Sequence, residues 1–391
     1  MTNSMDNTNL DVLILTEDFY PKVSGGAFII WNVAEYLVGQ GDNVTVVTPR
    51  NDETPSIETA EGIEIRRPFK GPSSDVHPNS KWAILWRILF VVFVIPYLIY
   101  LCLDRDFDLV YSTNHLVHPP AGIICALFRV PQVSHVGYSP SLRDDPSLVY
   151  PLIMLERVNF RIFMGDRIIC QTPSLEQILS NKCKGKVKRV DGIVDKEAVK
   201  SVINSNDIPD YESKSNSRIQ LIYVGRLVDI KNPTKLPELI SNLSSDYSLL
   251  IVGDGPQKEA VESAIEEAKV GDRVEVLGRL PHQETLQLIH NSDMLVLPSD
   301  TESYGAVAFE ALSLNTPVIA SPVGVLPMVD HSDLSIAGIE DFAATIPEIS
   351  VEESDGINSE TLEEFAVDRF AENVRKQMLL ECSYTQGIRI E

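Results

Sequence analysis

Short apolar runs alternate with longer helix-like segments along most of the chain. Apolar runs between polar or glycine-containing loops predict buried strands. The predicted strands are 10–15, 44–47, 63–66, 109–111, 132–135, 167–170, 219–224, 249–252, 274–277 and 294–297. Segments 27–38, 257–269 and 282–290 carry helix signals. This alternation predicts an α/β fold with parallel sheets, whose ligands bind beyond the carboxyl ends of the strands.

The stretch 82–103 interrupts this alternation because it is the most apolar part of the chain. It has no charged residue from Ile88 to Leu103, and Pro96 lies near its middle. A membrane span needs about 20 apolar residues, so a span is the least favoured interpretation. The alternatives are a helix buried in its domain and a helix at a membrane surface. We favour a partly buried helix that also contacts lipid or a lipid-linked acceptor, because a soluble surface helix is rarely apolar on all sides. The interfacial residues would be Trp82, Trp86, Tyr97 and Tyr100.

Length and charge narrow the class of protein. A chain of 391 residues is expected to form about two domains. Its 33 basic and 56 acidic residues give a net charge of −23. A nucleic-acid partner is excluded because it requires a basic surface. Any site for a phosphate must therefore be built locally, against the long-range repulsion of the chain.

The cysteines and the N-terminus indicate a cytoplasmic protein. Five cysteines are scattered without paired spacing, which predicts reduced thiols rather than a disulfide framework or a zinc site. Residues 1–9 lack the basic and apolar regions of a signal peptide. The dense basic run 182–189 is expected to be a solvated face, and attraction to anionic lipid headgroups is its alternative role.

Three loops that follow predicted strands carry candidate ligand-binding residues. Gly25 and Gly26 lie between the first strand and its helix, where glycine lets the main chain approach a ligand. The strand 219–224 is followed by Gly225, Arg226 and, five residues later, Lys231. Arginine presents a planar fork to phosphate oxygens and lysine a compact point charge. The strand 249–252 ends in a glycine-rich turn with Gly253 and Gly255.

The most informative segment is 298–320, which follows the strand 294–297. It begins with Pro298, Ser299 and Glu302, and a helix is expected near Gly305. Glu310 lies inside that helix, with seven residues between the two glutamates. A helix N-terminus favours anions, and two carboxylates beside it suit a ligand that also has hydroxyls. A nucleotide sugar is such a ligand.

These motifs resemble the retaining glycosyltransferases of the GT-B fold, family 4. The resemblance rests on the Pro-Ser-x-x-Glu-x-x-Gly pattern with its second glutamate, and on the Gly-Arg-Leu-x-x-x-Lys pattern at 225–231. It covers nearly the whole chain and is strongest over 219–328. The chain departs from the family at Val325 and Met328, where glycine and glutamate are usual, and at Asp191, where asparagine is usual.

The resemblance implies roles for particular residues. Arg226 and Lys231 would hold the diphosphate, Glu302 the hydroxyls of the donor sugar and Glu310 the ribose hydroxyls. His135, at the end of a predicted strand, would contact the transferred sugar, with a buried, hydrogen-bonded loop histidine as the alternative. The remaining donor-binding residues would be Gly25, Gly26, Gly225, Gly253, Gly255, Ser303, Tyr304 and Gly305.

The resemblance also implies an organisation and partners. We expect two Rossmann-like domains facing across a cleft: 1–190 for the acceptor, a linker at 191–218, and 219–360 for the donor. Residues 361–391 would form a helix crossing back to the first domain. The donor would be a UDP- or GDP-sugar, with neither a metal nor another cofactor required.

The acceptor is left open between a glycan and a lipid-linked molecule of polysaccharide, glycolipid or cell-envelope synthesis, with the protein at the inner face of the membrane. A sugar-nucleotide epimerase or hydrolase, and a non-catalytic nucleotide-sugar-binding protein, are the alternative functions.

Overall fold

The computed structural model describes eight parts of the chain: 9–21, 25–51, 54–71, 81–139, 150–204, 218–302, 304–350 and 358–385. It divides into two compact units. Unit 1 consists of Met1–Gly192 and Val367–Glu391, and unit 2 of Ile193–Ala366. Each unit is built around its own sheet, as the alternation of strands and helices predicts.

The strands are numbered along the chain. Those of unit 1 are β1 (Asp11–Leu15), β2 (Asn43–Val47), β3 (Ile57–Ala60), β4 (Ile63–Arg66), β5 (Leu109–Thr113), β6 (Gln132–Val136), β7 (Arg167–Cys170) and β8 (Lys186–Arg189). Those of unit 2 are β9 (Ile219–Val224), β10 (Tyr247–Val252), β11 (Val274–Gly278), β12 (Met294–Leu297), β13 (Val318–Ala320) and β14 (Leu334–Ile336).

The helices are numbered in the same way. The first five belong to unit 1 and are α1 (Gly25–Gly39), α2 (Lys81–Asp104), α3 (His118–Phe128), α4 (Tyr150–Ile162) and α5 (Pro173–Lys182). Unit 2 contains α6 (Lys196–Asn204), α7 (Leu236–Asn242), α8 (Lys258–Ala268), α9 (His282–His290), α10 (Ala306–Ser313), α11 (Phe342–Thr345) and α12 (Ser359–Glu364). The last helix, α13 (Val367–Thr385), returns to unit 1.

The sheet of unit 1 has the order β3-β4-β2-β1-β5-β6-β7-β8. Its pairs are parallel except for β3 with β4. From β1 the chain first adds β2 on one side and later β5 on the other, so the order reverses between β1 and β5. Right-handed crossovers place α2 to α5 on one face and α1 on the other, where α1 packs against α13.

The sheet of unit 2 is parallel and has the order β11-β10-β9-β12-β13-β14. Here the strand order reverses between β9 and β12. The core is formed by apolar side chains of the strands and of α7 and α8, including the fully buried Leu221, Ile240 and Val261. The crevice outside such a reversal, at the carboxyl ends of the strands, is the expected ligand site of an open sheet.

All ten strands predicted from the apolar runs are present, with ends within two residues of the predicted ones. Four strands are not among the predictions. β3 and β8 have alternating, partly exposed side chains, and β13 and β14 have only three residues each. The basic run at 182–189 therefore includes an edge strand, where lysines disfavour pairing with another chain.

The predicted linker 191–218 needs a correction, because residues 196–204 form α6 of unit 2. The helix is started by Asp195, whose carboxylate accepts a hydrogen bond from the Ala198 amide at 2.9 Å. Residues 205–217 lie outside the described residues. The predicted tail helix is two helices, and the chain between them pairs at Ala366 with Val194 in an isolated bridge. Only the second helix, from Val367 onward, belongs to unit 1.

The apolar stretch 82–103 forms a single helix, α2, through Pro96. Proline removes one helical hydrogen bond and costs about 3 kcal/mol in a helix interior. Burial of Phe90, Val94, Leu98 and Leu101 offsets this cost, since each buried side chain of this size contributes about 1.5–3 kcal/mol. Among the described residues, no helix combines the length and apolarity that a membrane span requires.

Candidate functional site

The strand reversal of unit 2 brings together the two loops with the strongest motifs. Lys231, in the loop after β9, forms an ion pair with Glu302, in the loop after β12. Ser299 donates a second hydrogen bond to the same Glu302 oxygen at 2.9 Å. The side chains of Lys231 and Glu302 are only 21% and 10% exposed. The residue predicted to bind the diphosphate and the residue predicted to bind the sugar are therefore held side by side, and both are partly shielded from solvent.

Asn232 links the loop after β9 to the loop after β12 by hydrogen bonds. The sequence motifs assign it no role. Its main chain is left-handed, with φ of 50°, a conformation that asparagine tolerates better than most residues. Its side-chain amide donates to the Pro298 carbonyl at 3.0 Å and to Asp300 Oδ1 at 2.6 Å. The Asp300 amide in turn donates to the Ile230 carbonyl at 2.9 Å. The position of Lys231 against Glu302 is thus fixed by main-chain and amide bonds on both sides.

Arg226 lies in the same loop as Lys231 but is differently placed. Its side chain is exposed, and it forms no ion pair with any of the described residues. Its carbonyl accepts hydrogen bonds from the Tyr223 hydroxyl at 3.2 Å and the Val228 amide at 2.9 Å. The main chain is held while the guanidinium stays available, which suits a group that binds an incoming anion.

Glu310 lies in the second turn of α10 and is paired with a residue that the motif search missed. His282, the first residue of α9, shares a hydrogen bond of 2.9 Å between its Nε2 and Glu310 Oε1. This bond raises the pKa of His282, against the opposing effect of burial. A histidine directly after Pro281, at the start of a predicted helix, was the available signal.

Gly305 is the residue before α10 and has φ of 82°. A residue with a side chain is strained in that region, so the turn that leads from Glu302 into the helix requires glycine. Tyr304 is buried, with its ring 4.9 Å from that of Phe309. The predicted donor-binding Tyr304 therefore offers a ligand only its main chain. Ser303 lies outside the described residues.

Gly253 and Gly255, two more of the predicted donor-binding glycines, pack main chain against main chain. A Cβ at Gly253, whose φ is 148°, would lie 1.9 Å from the Gly225 carbonyl oxygen. A Cβ at Gly255 would lie 2.4 Å from the Leu227 carbonyl oxygen. The Leu227 amide also donates to the Asp254 carbonyl at 3.0 Å. These glycines bring the loop after β10 against the loop that carries Arg226 and Lys231.

The strand reversal of unit 1 joins the loops after β1 and β5. The Thr113 hydroxyl donates to the Thr16 hydroxyl at 2.8 Å. The predicted Gly25 and Gly26 form the exposed first turn of α1, which begins two residues earlier than expected. A Cβ at Gly25 would meet no atom of the described residues within 4 Å. The described part of the chain therefore leaves open space at this predicted donor-facing position.

His135 lies within β6 and not in a loop. Its ring stacks on that of Tyr111 at 6.0 Å and lies 5.5 Å from that of Phe370. Neither ring nitrogen has a hydrogen bond of ordinary geometry among the described residues, although the nearby Gln171 side chain partly opposes the effect of burial on the pKa of His135. Burial lowers the pKa of His135 to about 4. The imidazole is therefore neutral near pH 7, with unused hydrogen-bonding capacity near the carboxyl edge of the sheet.

Two further histidines lie near the same edge and were missed. His115 shares a 2.8 Å hydrogen bond with the Tyr138 carbonyl, and His118 one of 2.9 Å with the Ser112 hydroxyl. Burial lowers the pKa of both imidazoles. Their second ring nitrogens have no partner among the described residues. The signal was two histidines within five residues of the end of β5.

Within the described parts of the chain, no group of three or more His, Cys, Asp or Glu side chains could hold a metal ion. Metal independence remains a prediction, because diphosphate ligands can also bring a metal with them.

Comparison with known proteins gives a consistent result. Two family descriptions match the chain: "Glycosyltransferase Family 4" over residues 23–197 and "Glycosyl transferases group 1" over residues 205–332. Together the two ranges include well over half of the chain.

Two relatives and one solved structure illustrate the match. The phosphatidylinositol N-acetylglucosaminyltransferase GPI3 subunit of Saccharomyces cerevisiae is 22% identical, over 83% of this chain and 71% of its own. TuaC of Bacillus subtilis, a glycosyltransferase named for teichuronic acid biosynthesis, is 26% identical over 78% of both chains. Anabaena HepE, solved with UDP and glucose, has a TM-score of 0.68 at 15% identity, and the superposition covers 95% of this chain and 99% of HepE.

Proposed function

The chain belongs to the group 1, family 4 glycosyltransferases, and we propose that it transfers a sugar from a nucleotide-diphosphate sugar to an acceptor with retention of configuration. The observation that carries the donor assignment is the pairing of Lys231 with Glu302 at the strand reversal of unit 2. Parallel sheets bind ligands at that place, and one cation beside one carboxylate fits a phosphate adjoining a sugar.

The proposed roles follow from the charges. Lys231 and the exposed Arg226 bind the diphosphate, and Glu302 binds hydroxyls of the donor sugar. Glu310 accepts hydrogen bonds from the ribose hydroxyls. When the donor binds, these bonds replace the hydrogen bond between Glu310 and His282. Asn232 and Ser299 act as positioning residues, since they hold Lys231 and Glu302 through the hydrogen bonds described above.

In the reaction, the bond between the anomeric carbon and the phosphate oxygen breaks, and that oxygen gains negative charge. The acceptor oxygen bonds to the same face of the anomeric carbon, and its proton passes to an oxygen of the leaving phosphate. Fixed cations stabilise the growing charge without reorganising. This scheme uses no protein nucleophile and no metal.

Unit 1 is proposed to present the acceptor. Its buried, neutral histidines can donate or accept hydrogen bonds without attracting charge, which suits hydroxyl groups of a sugar. In this scheme His135 contacts the transferred sugar through ring nitrogens that have no hydrogen bond of ordinary geometry among the described residues.

A lipid-linked or cell-envelope acceptor is the acceptor class that we propose. The names of GPI3 and TuaC refer to phosphatidylinositol and to teichuronic acid. α2 adds support because Val92, Phe93, Tyr100 and Leu103 are exposed apolar residues. We place the reaction at the cytoplasmic face of a membrane, with 82–103 as one contact.

A donor screen followed by product analysis tests this function. Thermal shift with UDP-sugars and GDP-sugars identifies the base, and we expect one series to raise the melting temperature. The matching labelled donor is then incubated with a lipid extract, and label is expected in the lipid phase. An isomerised or hydrolysed donor in the absence of acceptor would instead identify an epimerase or a hydrolase. Binding without turnover under either condition would identify a non-catalytic binding protein.

A further inference from the structure

Helix α2 has two apolar faces, and the fold uses one of them. Phe90, Val94, Leu98 and Leu101 form the buried face and pack in the core of unit 1. Positions 92, 96, 100 and 103 repeat with the same spacing on the opposite side and are exposed. Leu103 alone has 75% of its surface exposed. The first face is apolar because it packs in the core. No packing among the described residues of unit 1 explains why the second, exposed face is also apolar.

The exposed apolar surface continues onto the two neighbouring helices. α3 packs beside α2, and α4 beside α3. Ile123 and Leu127 are exposed on α3, one turn apart. On α4 the exposed apolar residues lie at i, i+4 and i+8 and are Met154, Val158 and Ile162. Monomeric soluble proteins rarely expose contiguous apolar patches of more than a few hundred Å².

The charges of this surface are opposite to those of the whole chain. Neither 89–103 nor α3 contains a charged residue. The single carboxylate of α4, Glu156, is buried and accepts a hydrogen bond from Ser139. Arg157 and Arg161 are exposed and alternate with the apolar residues of α4. Asp104, the last residue of α2, is the one exposed carboxylate of these three helices. A chain with a net charge of −23 thus places two guanidinium groups and a single carboxylate on this surface.

We propose that the outward faces of α2, α3 and α4 form one docking surface for a membrane that contains anionic lipids. The apolar side chains enter the interface between headgroups and acyl chains, and the two arginines bind lipid phosphates. A second copy of this chain fits less well, because a two-fold interface joins two copies of the same surface, on which Asp104 is the one exposed carboxylate available to pair with the two arginines. The proposal deepens the membrane contact proposed above for 82–103, on which it rests, by adding α3 and α4 and by naming anionic phospholipid as the partner. Its test measures vesicle binding, so its failure is distinct from a failure of donor turnover.

Vesicle flotation of the full chain tests this surface. Vesicles of phosphatidylcholine with phosphatidylglycerol are compared with vesicles of phosphatidylcholine alone. We expect binding to the anionic vesicles that weakens with added salt, since the attraction is screened. Arg157→Gln with Arg161→Gln should reduce binding to anionic vesicles about 30-fold, because each basic residue contributes about fivefold.

The apolar part is tested by Leu103→Asp with Leu127→Asp, two exposed positions whose change should leave the melting temperature and the affinity for a nucleoside diphosphate unaltered. Binding to both kinds of vesicle should fall at least about tenfold. Ile57→Asp is the matched control, because Ile57 is equally apolar, 57% exposed and on the edge strand β3. It should bind like the unchanged protein.

Three results would overturn the proposal: no binding of the unchanged protein to either vesicle, equal binding by the aspartate variant, or an equal loss with Ile57→Asp. Analytical sedimentation without vesicles tests whether a second copy of the chain occupies this surface instead. A dimer that the aspartate variant dissociates would identify the surface as a protein interface.

Discussion

The two sheets differ in the chemistry that they place at their strand reversals. In unit 2 the reversal carries the partly exposed ion pair Lys231–Glu302 and the exposed Arg226. In unit 1 it is followed by buried imidazoles whose pKa values are lowered. At the two strand reversals, charge that binds an anionic group is therefore confined to unit 2, and uncharged hydrogen-bonding groups occupy unit 1. A chain of net charge −23 needs that local concentration of cations.

The largest effect is expected from Lys231→Ala in unit 2. Removing a fixed charge that stabilises a transition state costs about 10²–10³ in kcat. We expect a loss of that size in a variant that still folds, with a lower melting temperature because Glu302 loses its cation. Lys235→Ala is the control, because Lys235 is exposed on the following turn. Equal turnover by the Lys231→Ala and Lys235→Ala variants would contradict the assignment of Lys231 to the donor site.

The buried histidines of unit 1 are tested by measuring folding stability at low pH. The folded-state pKa of His135, about 4, lies below the ordinary value of 6.5, so the unfolded chain takes up the proton first. Folding stability should therefore fall as the pH drops from 6.5 to 4, by up to about 3 kcal/mol for this group.

His135→Asn should reduce that pH dependence in urea unfolding at pH 4.5 and pH 7. His118 shifts in the same direction, so part of the dependence will remain. If the free energy of unfolding changed equally between pH 4.5 and pH 7 in the variant and the unchanged protein, His135 would not be a buried neutral group.

Gly253→Ala tests the packing that supports the charged loop. The new Cβ would clash with the Gly225 carbonyl and occupy a strained φ, and strain of this kind costs about 1–3 kcal/mol. Urea unfolding measures the loss. Gly271→Ala, where the nearest atom is 3.9 Å away, should change stability little. If both substitutions had the same effect, the close approach of the two loops would be wrong.

The smallest expected effect belongs to His282→Gln. The pKa of His282 is raised by Glu310, so the charged pair stabilises the fold below the unfolded pKa of about 6.5 and is lost as pH rises through the folded value. His282 is nearly half exposed, so the contribution should stay below about 1 kcal/mol. Unfolding at pH 6 should show a larger loss than at pH 9, and equal losses would contradict the pairing.

The sequence predicted unit 2 in most detail because its signals are local. The strands 219–224 and 294–297 have the predicted ends. Each is a mostly apolar run, interrupted only by Gln220, that closes at glycine or proline. Their loops hold the motif residues within a few positions of the strand ends. The pairing of Lys231 with Glu302 follows from the order of the strands, which no local pattern contains.

What the sequence left unassigned depends on contacts between distant segments. His282 approaches Glu310 across 28 positions, and Asn232 approaches Pro298 across 66. The pKa values of the unit 1 histidines are lowered chiefly by burial, and for His118 also by the neighbouring histidines. The sequence predicts a linker where α6 forms, because the nine residues of this helix lie in a polar segment whose one helix start signal is Asp195.

The central claim is that the strand reversal of unit 2 binds the diphosphate of the donor. Titration calorimetry with the nucleoside diphosphate chosen by the donor screen tests it most directly. Lys231→Ala should bind at least about tenfold more weakly than the unchanged protein, a difference of about 1.4 kcal/mol, while Lys235→Ala binds equally well. Equal affinity of the Lys231→Ala variant and the unchanged protein would contradict the account.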